Sequence, residues 1–270
     1  MTIETLQWST LIGAISYSVL FLVLTALRLR FPVPTPVAIS ALLTAVYFTA
    51  LFAAASAQLT FIVLHLMYLT WVFALTSITG YGFGNLRDER YRPQTTIVLL
   101  AIAAFAWALV FTLLGRSLLM VWLGDLTLCI VGLVATEQVW RNTRYEFRYK
   151  LKFFYIAVGT LFTTGLITFA DASLLGRIDP RYVAIQPIVL TIVAPLIAIS
   201  ITRSRRSQLR LVVSRRFVFR TGVVLVSGLY LIALAIAGYV VQLLDTGWSD
   251  VVAMSFAALG LIGFLSLIHI

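Results

Sequence analysis

The sequence predicts an all-α, polytopic transmembrane helical bundle of about nine spans, and three observations support that fold class. Hydrophobic residues make up 61% of the 270 residues and charged residues only 11%, with a mean hydropathy of +1.02. This composition excludes a soluble domain with a wetted surface. Apolar runs long enough to cross a bilayer recur along the chain, and basic residues separate them in a regular pattern.

Nine apolar runs have roughly the 20 residues that one spanning helix needs. Charges, prolines or small turn residues bound each run. The first five predicted spans are residues 9–27, the run from the prolines at 32–36 to about 53, and residues 59–78, 96–114 and 119–139. The sixth begins near 153 and the seventh near 183, with a polar break at 176–181 between them. The eighth is residues 217–243, and the ninth begins at 251.

The basic residues orient these spans, because Lys and Arg in short loops stay on the cytoplasmic side during insertion. With the amino terminus outside, 17 of the 20 basic residues fall in loops on one side, and only Arg116, Arg177 and Arg181 fall on the other. The densest basic loop is residues 203–220, RSRRSQLRLVVSRRFVFR. The distribution therefore predicts nine spans, an outside amino terminus and a cytoplasmic carboxyl terminus.

The net charge of +10 is spread over four loops next to apolar spans. A nucleic-acid-binding protein would gather such charge on one polar face, so nucleic acid is not an expected partner. Anionic lipid headgroups are the expected partner, at about 1 kcal/mol for each basic residue near the membrane surface. The first span is interpreted as an uncleaved anchor, because no basic stretch or small-residue cleavage site accompanies it.

Two ionisable residues inside predicted spans, His65 and Asp125, are candidate intramembrane polar sites. His65 is interpreted as a hydrogen-bonded interior histidine, with a cofactor ligand as the alternative, because the sequence has no suitably spaced second histidine. Asp125 is interpreted as an outer-interface residue and Glu137 as a partner of nearby basic residues. The two acids are separated by twelve positions, roughly 18 Å of helix, so they do not form a carboxylate pair.

Other features of the chain are less informative about chemistry. Asp171 is expected near the outer mouth of the sixth span, where water reaches it. Pro187 and Pro195 are expected to kink the seventh span, either as packing distortion or as a hinge. The chain shows no paired acids, metal-ligand spacing or nucleophile motif. No catalytic residue, bound metal or cofactor is therefore predicted within it.

Several short motifs occur in a fixed order in the second half of the chain. They are EQVWRN at 137–142, KFF at 152–154, DASLL at 171–175, RIDP at 177–180, APL at 194–196, VSRRFVF at 213–219, GLY at 228–230 and AGY at 237–239. Together they resemble the membrane-embedded amino-terminal region of the PEP-CTERM/exosortase-system sensor histidine kinases (PrsK). The positions that carry this resemblance are Glu137, Arg141, Asn142, Asp171, Asp179, Pro180, Pro195, Ser214, Arg215, Arg216, Phe219, Tyr230 and Tyr239.

The resemblance implies a multi-pass sensor and anchor domain in a bacterial inner membrane. It implies a following cytoplasmic kinase domain that uses ATP and Mg, a homodimer, and a cognate response regulator as partner. The parent protein would be a transferase of a two-component signal transduction system. The predicted sensor domain covers residues 1–264.

Residues 265–270, LSLIHI, are predicted to be a non-native tail. CTGTCTCTTATACACATC encodes them, and that string resembles the transposon end used to prepare sequencing libraries. His269 is accordingly not a candidate ligand or phosphoacceptor.

The alternative prediction from the residues is a small polytopic transporter or channel with a polar path near Asp125 and His65. An intramembrane enzyme ranks below both, because the expected catalytic groups are missing from the sequence.

Overall fold

A computed structural model of the chain describes residues 3–30, 34–78, 92–115, 117–143 and 145–204. Within these ranges the protein is all-α, with seven helices and no strand. The helices are α1 (Ile3–Arg30), α2 (Thr35–Phe52), α3 (Ala57–Ile78), α4 (Arg92–Leu114), α5 (Leu118–Asn142), α6 (Tyr145–Leu175) and α7 (Pro180–Ser204).

All seven helices are long and apolar enough to cross a membrane. Even the shortest, α2 with 18 residues, is about 27 Å long, close to the thickness of a hydrocarbon core. The large side chains on the outside of the bundle are apolar, and Trp8, Leu22, Leu99 and Ile192 are each more than half exposed. Such a surface suits lipid and would be unfavourable in water. The described part is therefore the helical bundle of a multi-pass membrane protein.

The first seven predicted spans are confirmed as helices. All but α2 begin before the predicted start, whereas α2 stays within its predicted limits. The largest extension is in α6, which begins at Tyr145 rather than near residue 153. Hydropathy marks only the part of a helix that suits hydrocarbon, whereas the helix itself includes the preceding polar residues, among them Arg148 and Lys150. The eighth and ninth predicted spans lie outside the described residues, as does the junction at 264.

Helices that follow each other in the chain pack side by side, and α7 returns to pack against α1. α3 also packs against α5, which places these two helices at the centre of the bundle. In an apolar 18-residue stretch of each helix, 67% is buried in α5 and 56% in α3, against 28% in α4. Polar side chains on α3 and α5 are therefore the ones best shielded from lipid.

A small residue brings α1, α2 and α7 together. A Cβ on Gly13 of α1 would stand 2.9 Å from a ring carbon of Phe48 and 3.0 Å from Cβ of Pro187. Small residues at such contacts let helix backbones approach closely in membranes. α7 is a helix from Pro180 to Ser204 through both internal prolines, Pro187 and Pro195.

One end of the bundle, which we call the α2–α3 end, is where α2 and α6 finish and α3 and α7 begin. α6 ends at Leu175, and the next residue, Gly176, has a positive φ of 67° that suits glycine. α2 finishes differently, because Ala54 adopts a φ of 49° there. Ala54 N donates to Leu51 O and Ala55 N donates to Ala50 O, the pair of bonds of a Schellman motif.

Candidate functional site

His65 and Asp125 form a hydrogen-bonded pair at the centre of the bundle. His65 Nδ1 lies 2.6 Å from Asp125 Oδ1, and His65 Nε2 lies 2.9 Å from Thr112 Oγ1. The His65 and Asp125 side chains are both fully buried. Three helices, α3, α4 and α5, thus contribute one polar group each. Both ring nitrogens of His65 are occupied, which agrees with the interpretation as a hydrogen-bonded interior histidine.

The hydrogen-bond partners of His65 indicate one arrangement of protons for the pair. Thr112 Oγ1 donates to Ala108 O over 2.8 Å, a common bond of helical threonine, so the hydroxyl accepts from His65. His65 therefore carries a proton on Nε2, and a further proton lies between Nδ1 and Asp125 Oδ1. Without that second proton the pair would be a buried negative charge, which costs several kcal/mol. The pair is net neutral in this arrangement.

The interpretation of Asp125 as an outer-interface residue is wrong, because its side chain is fully buried against His65. A depth argument was available from the sequence. His65 is eight residues from the start of α3 and Asp125 is seven from the start of α5, so both lie roughly 10–12 Å from those helix starts. Two helices of the same direction place such residues at the same depth.

Tyr68 and Cys129 continue the polar line on the same faces of α3 and α5. We call His65, Tyr68, Asp125 and Cys129 together the α3–α5 seam. Tyr68 and Cys129 are fully buried, and both border the position where a Cβ on Gly165 would stand. That atom would be 2.7 Å from Cys129 Sγ and would overlap the Tyr68 hydroxyl. Gly165 therefore lets α6 close over the seam.

Gln186 of α7 links the seam to α2. Its amide nitrogen donates to Tyr68 Oη over 3.3 Å, and its Oε1 accepts from Tyr47 Oη over 3.4 Å. The first bond is slightly longer than the 2.7–3.2 Å typical of N–H···O bonds, and the second is longer than the 2.5–3.0 Å typical of O–H···O bonds. An amide has two donors and two acceptor lone pairs, so Gln186 retains unused hydrogen-bonding capacity. Gln186 is 5% exposed, and both of its hydrogen bonds are long.

A cavity of about 260 Å³ lies at the α2–α3 end and reaches Gln186. Its wall comes from α2, α3, α6 and α7 and from the segments that join them. The lining residues are Tyr47, Leu51, Ala55, Ala57, Thr60, Phe61, Leu64, Thr168, Phe169, Ile178, Val183 and Gln186. None of these twelve described residues is charged. The cavity is therefore an apolar space with a few polar groups, as in small-molecule sites.

Two motif positions pair at the other end of α5. Glu137 and Arg141 form an ion pair one helical turn apart, which confirms the predicted pairing of Glu137 with a nearby basic residue. Asn142, the third motif position there, is buried at the last residue of α5. Arg148 of α6 reaches back to donate to Thr143 O and Arg141 O, each over 2.9 Å. Hydrogen bonds from the Arg148 side chain to backbone carbonyls therefore link the start of α6 to the end of α5.

The motif at 177–180 caps α7. Arg181 N donates to Asp179 Oδ1 over 2.8 Å, and Pro180 supplies the first helical residue, the usual roles of aspartate and proline at a helix start. Hydrogen bonds from the Arg181 side chain hold the pKa of Asp179 below its ordinary value. Asp171 is partly buried near the end of α6. Asp179 is paired with Arg181, and neither Asp179 nor Asp171 is a hydrogen-bond partner of His65.

The remaining motif positions are Ser214, Arg215, Arg216, Phe219, Tyr230 and Tyr239, and they lie outside the described residues. Within the residues that are described, no three His, Cys, Asp or Glu side chains cluster as a metal site would require. The sequence did not single out Thr112, Tyr47, Tyr68 or Gln186. Hydroxyl and amide groups are common in apolar helices, and only the packing shows which of them meet.

Comparison with protein-family models, with curated proteins and with solved structures gave no match to this chain.

Proposed function

We propose that this chain is the membrane sensor and anchor region of a two-component sensor histidine kinase, linked to exosortase or exopolysaccharide regulation. The observation that carries the sensor role is the position of Gln186. It lines the cavity, it belongs to α7, and its hydrogen bonds to α2 and α3 are long. The motif resemblance supports the kinase assignment.

In this proposal an occupant of the cavity competes for the hydrogen bonds of Gln186. Because Gln186 lies on α7, the competition weakens the hydrogen bonds that link α7 to α2 and α3. A ligand shifts an equilibrium between two packings of α7 only by its difference in affinity for the two. The basic stretch 203–220 follows α7 directly, so a movement of α7 would pass to the later spans and to a cytoplasmic kinase dimer.

The proposal also carries a membrane and an orientation. The segregation of 17 of the 20 basic residues favours an orientation with the α2–α3 end outside. The motif resemblance implies a bacterial inner membrane. The cavity would then open toward the periplasm or the outer leaflet. ATP, Mg and a response regulator would belong to the kinase domain that follows.

Sequencing the locus beyond residue 264 from independent clones tests the kinase assignment. We expect an open reading frame that continues into a phosphoacceptor helix and an ATP-binding domain. The full-length protein in nanodiscs should then phosphorylate itself with ATP and Mg. A natural stop codon directly after Ile270, or a continuation without a kinase domain, would remove this assignment.

A proton-coupled transporter is the second candidate, and the His65–Asp125 pair is the observation that favours it. A net-neutral acid–base pair at the bundle centre is a group that could exchange a proton with a transported solute. In liposomes this function predicts solute flux driven by a proton gradient and abolished in Asp125→Asn. If no solute of a broad panel is transported and kinase activity is present, the sensor function would remain as the single candidate.

A further inference from the structure

We propose that the cavity at the α2–α3 end binds a small neutral amphiphile, with one hydroxyl, carbonyl or amide head and an apolar body of about ten heavy atoms. This inference rests on the proposed sensor function and names the ligand class of its site. Three properties of the cavity lead to it: its volume, its lack of charge and the state of its polar groups.

The volume limits the size of the ligand. A cavity of about 150 Å³ in a protein core holds one benzene molecule, whereas sites for drug-sized ligands begin near 300 Å³. At about 260 Å³ this cavity falls between the two, so roughly ten heavy atoms fill it. Only a part of a phospholipid or a peptide would fit inside it.

The lining determines the charge of the ligand. None of the twelve described lining residues is Asp, Glu, Lys, Arg or His, and Tyr47 is the one residue among them with an ionisable group. An ionised head placed there would lose its hydration without gaining a counter-charge, at a cost of several kcal/mol. Phosphates, carboxylates and ammonium groups are thereby disfavoured. A neutral head group loses far less hydration free energy when it enters the cavity.

The polar groups of the wall show where the head would bind. Thr60 and Thr168 already donate to carbonyls of their own helices, Ser56 O and Thr164 O. Gln186 and Tyr47 share a bond of 3.4 Å. A ligand head that bonds to Gln186 replaces this weak bond by a normal one.

The apolar remainder of the wall would hold the body of the ligand. Leu51 and Leu64 lie on the α2 and α3 sides, and Phe169 and Ile178 lie on the α6 side and in its connection to α7. Apolar contact of this kind contributes about 25 cal/mol for each Å² removed from water. The head therefore sets orientation while the body supplies most of the affinity.

The test uses three probes of equal chain length, 1-octanol, octanoate and octane, with the purified chain in nanodiscs. Binding is measured as the rise in melting temperature, because a ligand of the folded state stabilises it by mass action. We expect octanol to stabilise the wild type, octane to do so less, and octanoate at alkaline pH not to do so. Gln186→Leu should weaken octanol binding roughly tenfold, the value of about one hydrogen bond.

Matched variants separate binding in the cavity from a general effect on lipid. Val183→Trp and Ala57→Leu fill the cavity from two different walls, whereas Ile192→Trp changes the lipid-facing side of the same helix as Val183. We expect the octanol shift to be lost in the first two and kept in the third. Two fillers are used because one substitution alone could disturb folding, and each variant's helix content and melting temperature without probe are compared first.

The outcomes distinguish this inference from the function on which it rests. The ligand class is overturned if octanol raises the melting temperature of both cavity-filling variants as much as that of the wild type. It is also overturned if octanoate raises the melting temperature of the wild type as much as octanol does. Loss of octanol binding in Val183→Trp with unchanged kinase response of the full-length protein to its stimulus overturns the sensor role of the cavity and leaves the ligand class standing.

Discussion

The α3–α5 seam and the cavity wall are two polar regions of one bundle, and their hydrogen bonds differ. The seam holds His65 between two partners at 2.6 and 2.9 Å, with both members of the acid–base pair fully buried. The cavity wall holds Gln186 by bonds of 3.3 and 3.4 Å next to open space. The two regions meet at Tyr68, which belongs to the seam and bonds to Gln186.

The difference indicates a division of roles between the two regions. The short hydrogen bonds of His65 favour one arrangement, because separating His65 from its partners would leave further polar atoms unsatisfied in a dry interior. Asp125 Oδ2 already has no hydrogen-bond partner among the described residues. Long bonds at the edge of a cavity cost little to exchange for others. The seam is therefore expected to hold α3, α4 and α5 in register, and the cavity wall is expected to respond to a ligand.

The largest expected effect is on the seam. Asp125→Ala removes the partner of His65 and leaves a buried imidazole with an unmet hydrogen bond and a void beside it. We expect a loss of about 3 kcal/mol in the free energy of unfolding, measured by reversible denaturation in micelles.

The double variant His65→Leu, Asp125→Leu should be less destabilised than the sum of the single leucine variants, because it leaves no unpaired polar group. A loss below about 0.5 kcal/mol for Asp125→Ala would contradict the role of the pair, since surface-like substitutions fall in that range.

The next effect tests how tightly α6 closes over the seam. Gly165→Ala places a methyl group against the Tyr68 hydroxyl and Cys129 Sγ. Such overpacking costs about 1–3 kcal/mol. Gly159→Ala is the matched control on the same helix, because its Cβ would meet only Thr136 Cγ2 at 3.9 Å. The control should be neutral or more stable, since alanine favours a helix over glycine by about 1 kcal/mol. Equal melting temperatures for the two variants would show that the seam tolerates the extra volume.

A smaller effect is expected at the cavity wall. Gln186→Leu removes two long hydrogen bonds and keeps a similar volume, so we expect a loss of about 1 kcal/mol or less, measured in the same micelles as Asp125→Ala. The ratio of the stability loss in Asp125→Ala to that in Gln186→Leu measures how much more tightly the α3–α5 seam is held than the cavity wall. A loss for Gln186→Leu as large as that for Asp125→Ala would place Gln186 among the fixed groups.

The sequence was sufficient for the helices but not for the polar site. Runs of 20 apolar residues predict α1 to α7 because a bilayer imposes one length on every span. Hydropathy carries no information on which faces meet, so Asp125 was assigned to the interface although it is paired with His65. Thr112 and Gln186 were missed for the same reason. The pairing of Glu137 with Arg141 was predictable because residues four apart on a helix are neighbours whatever the tertiary packing.

The last expected effect is next to the cavity, where α2 ends. Ala54 adopts a φ of 49°, a conformation that costs an L-residue about 1 kcal/mol and glycine almost nothing. Ala54→Gly should therefore raise the free energy of unfolding by up to about 1 kcal/mol, measured as an increase in melting temperature. Ala50→Gly, one turn earlier within α2, should lower it by about the same amount, because glycine disfavours a helix interior. Opposite signs at these two positions would locate the strain in the Schellman turn itself. Destabilisation by both substitutions would instead mean that the methyl group of Ala54 contributes to packing next to the cavity, and the cavity wall would then be more rigid than its long hydrogen bonds indicate.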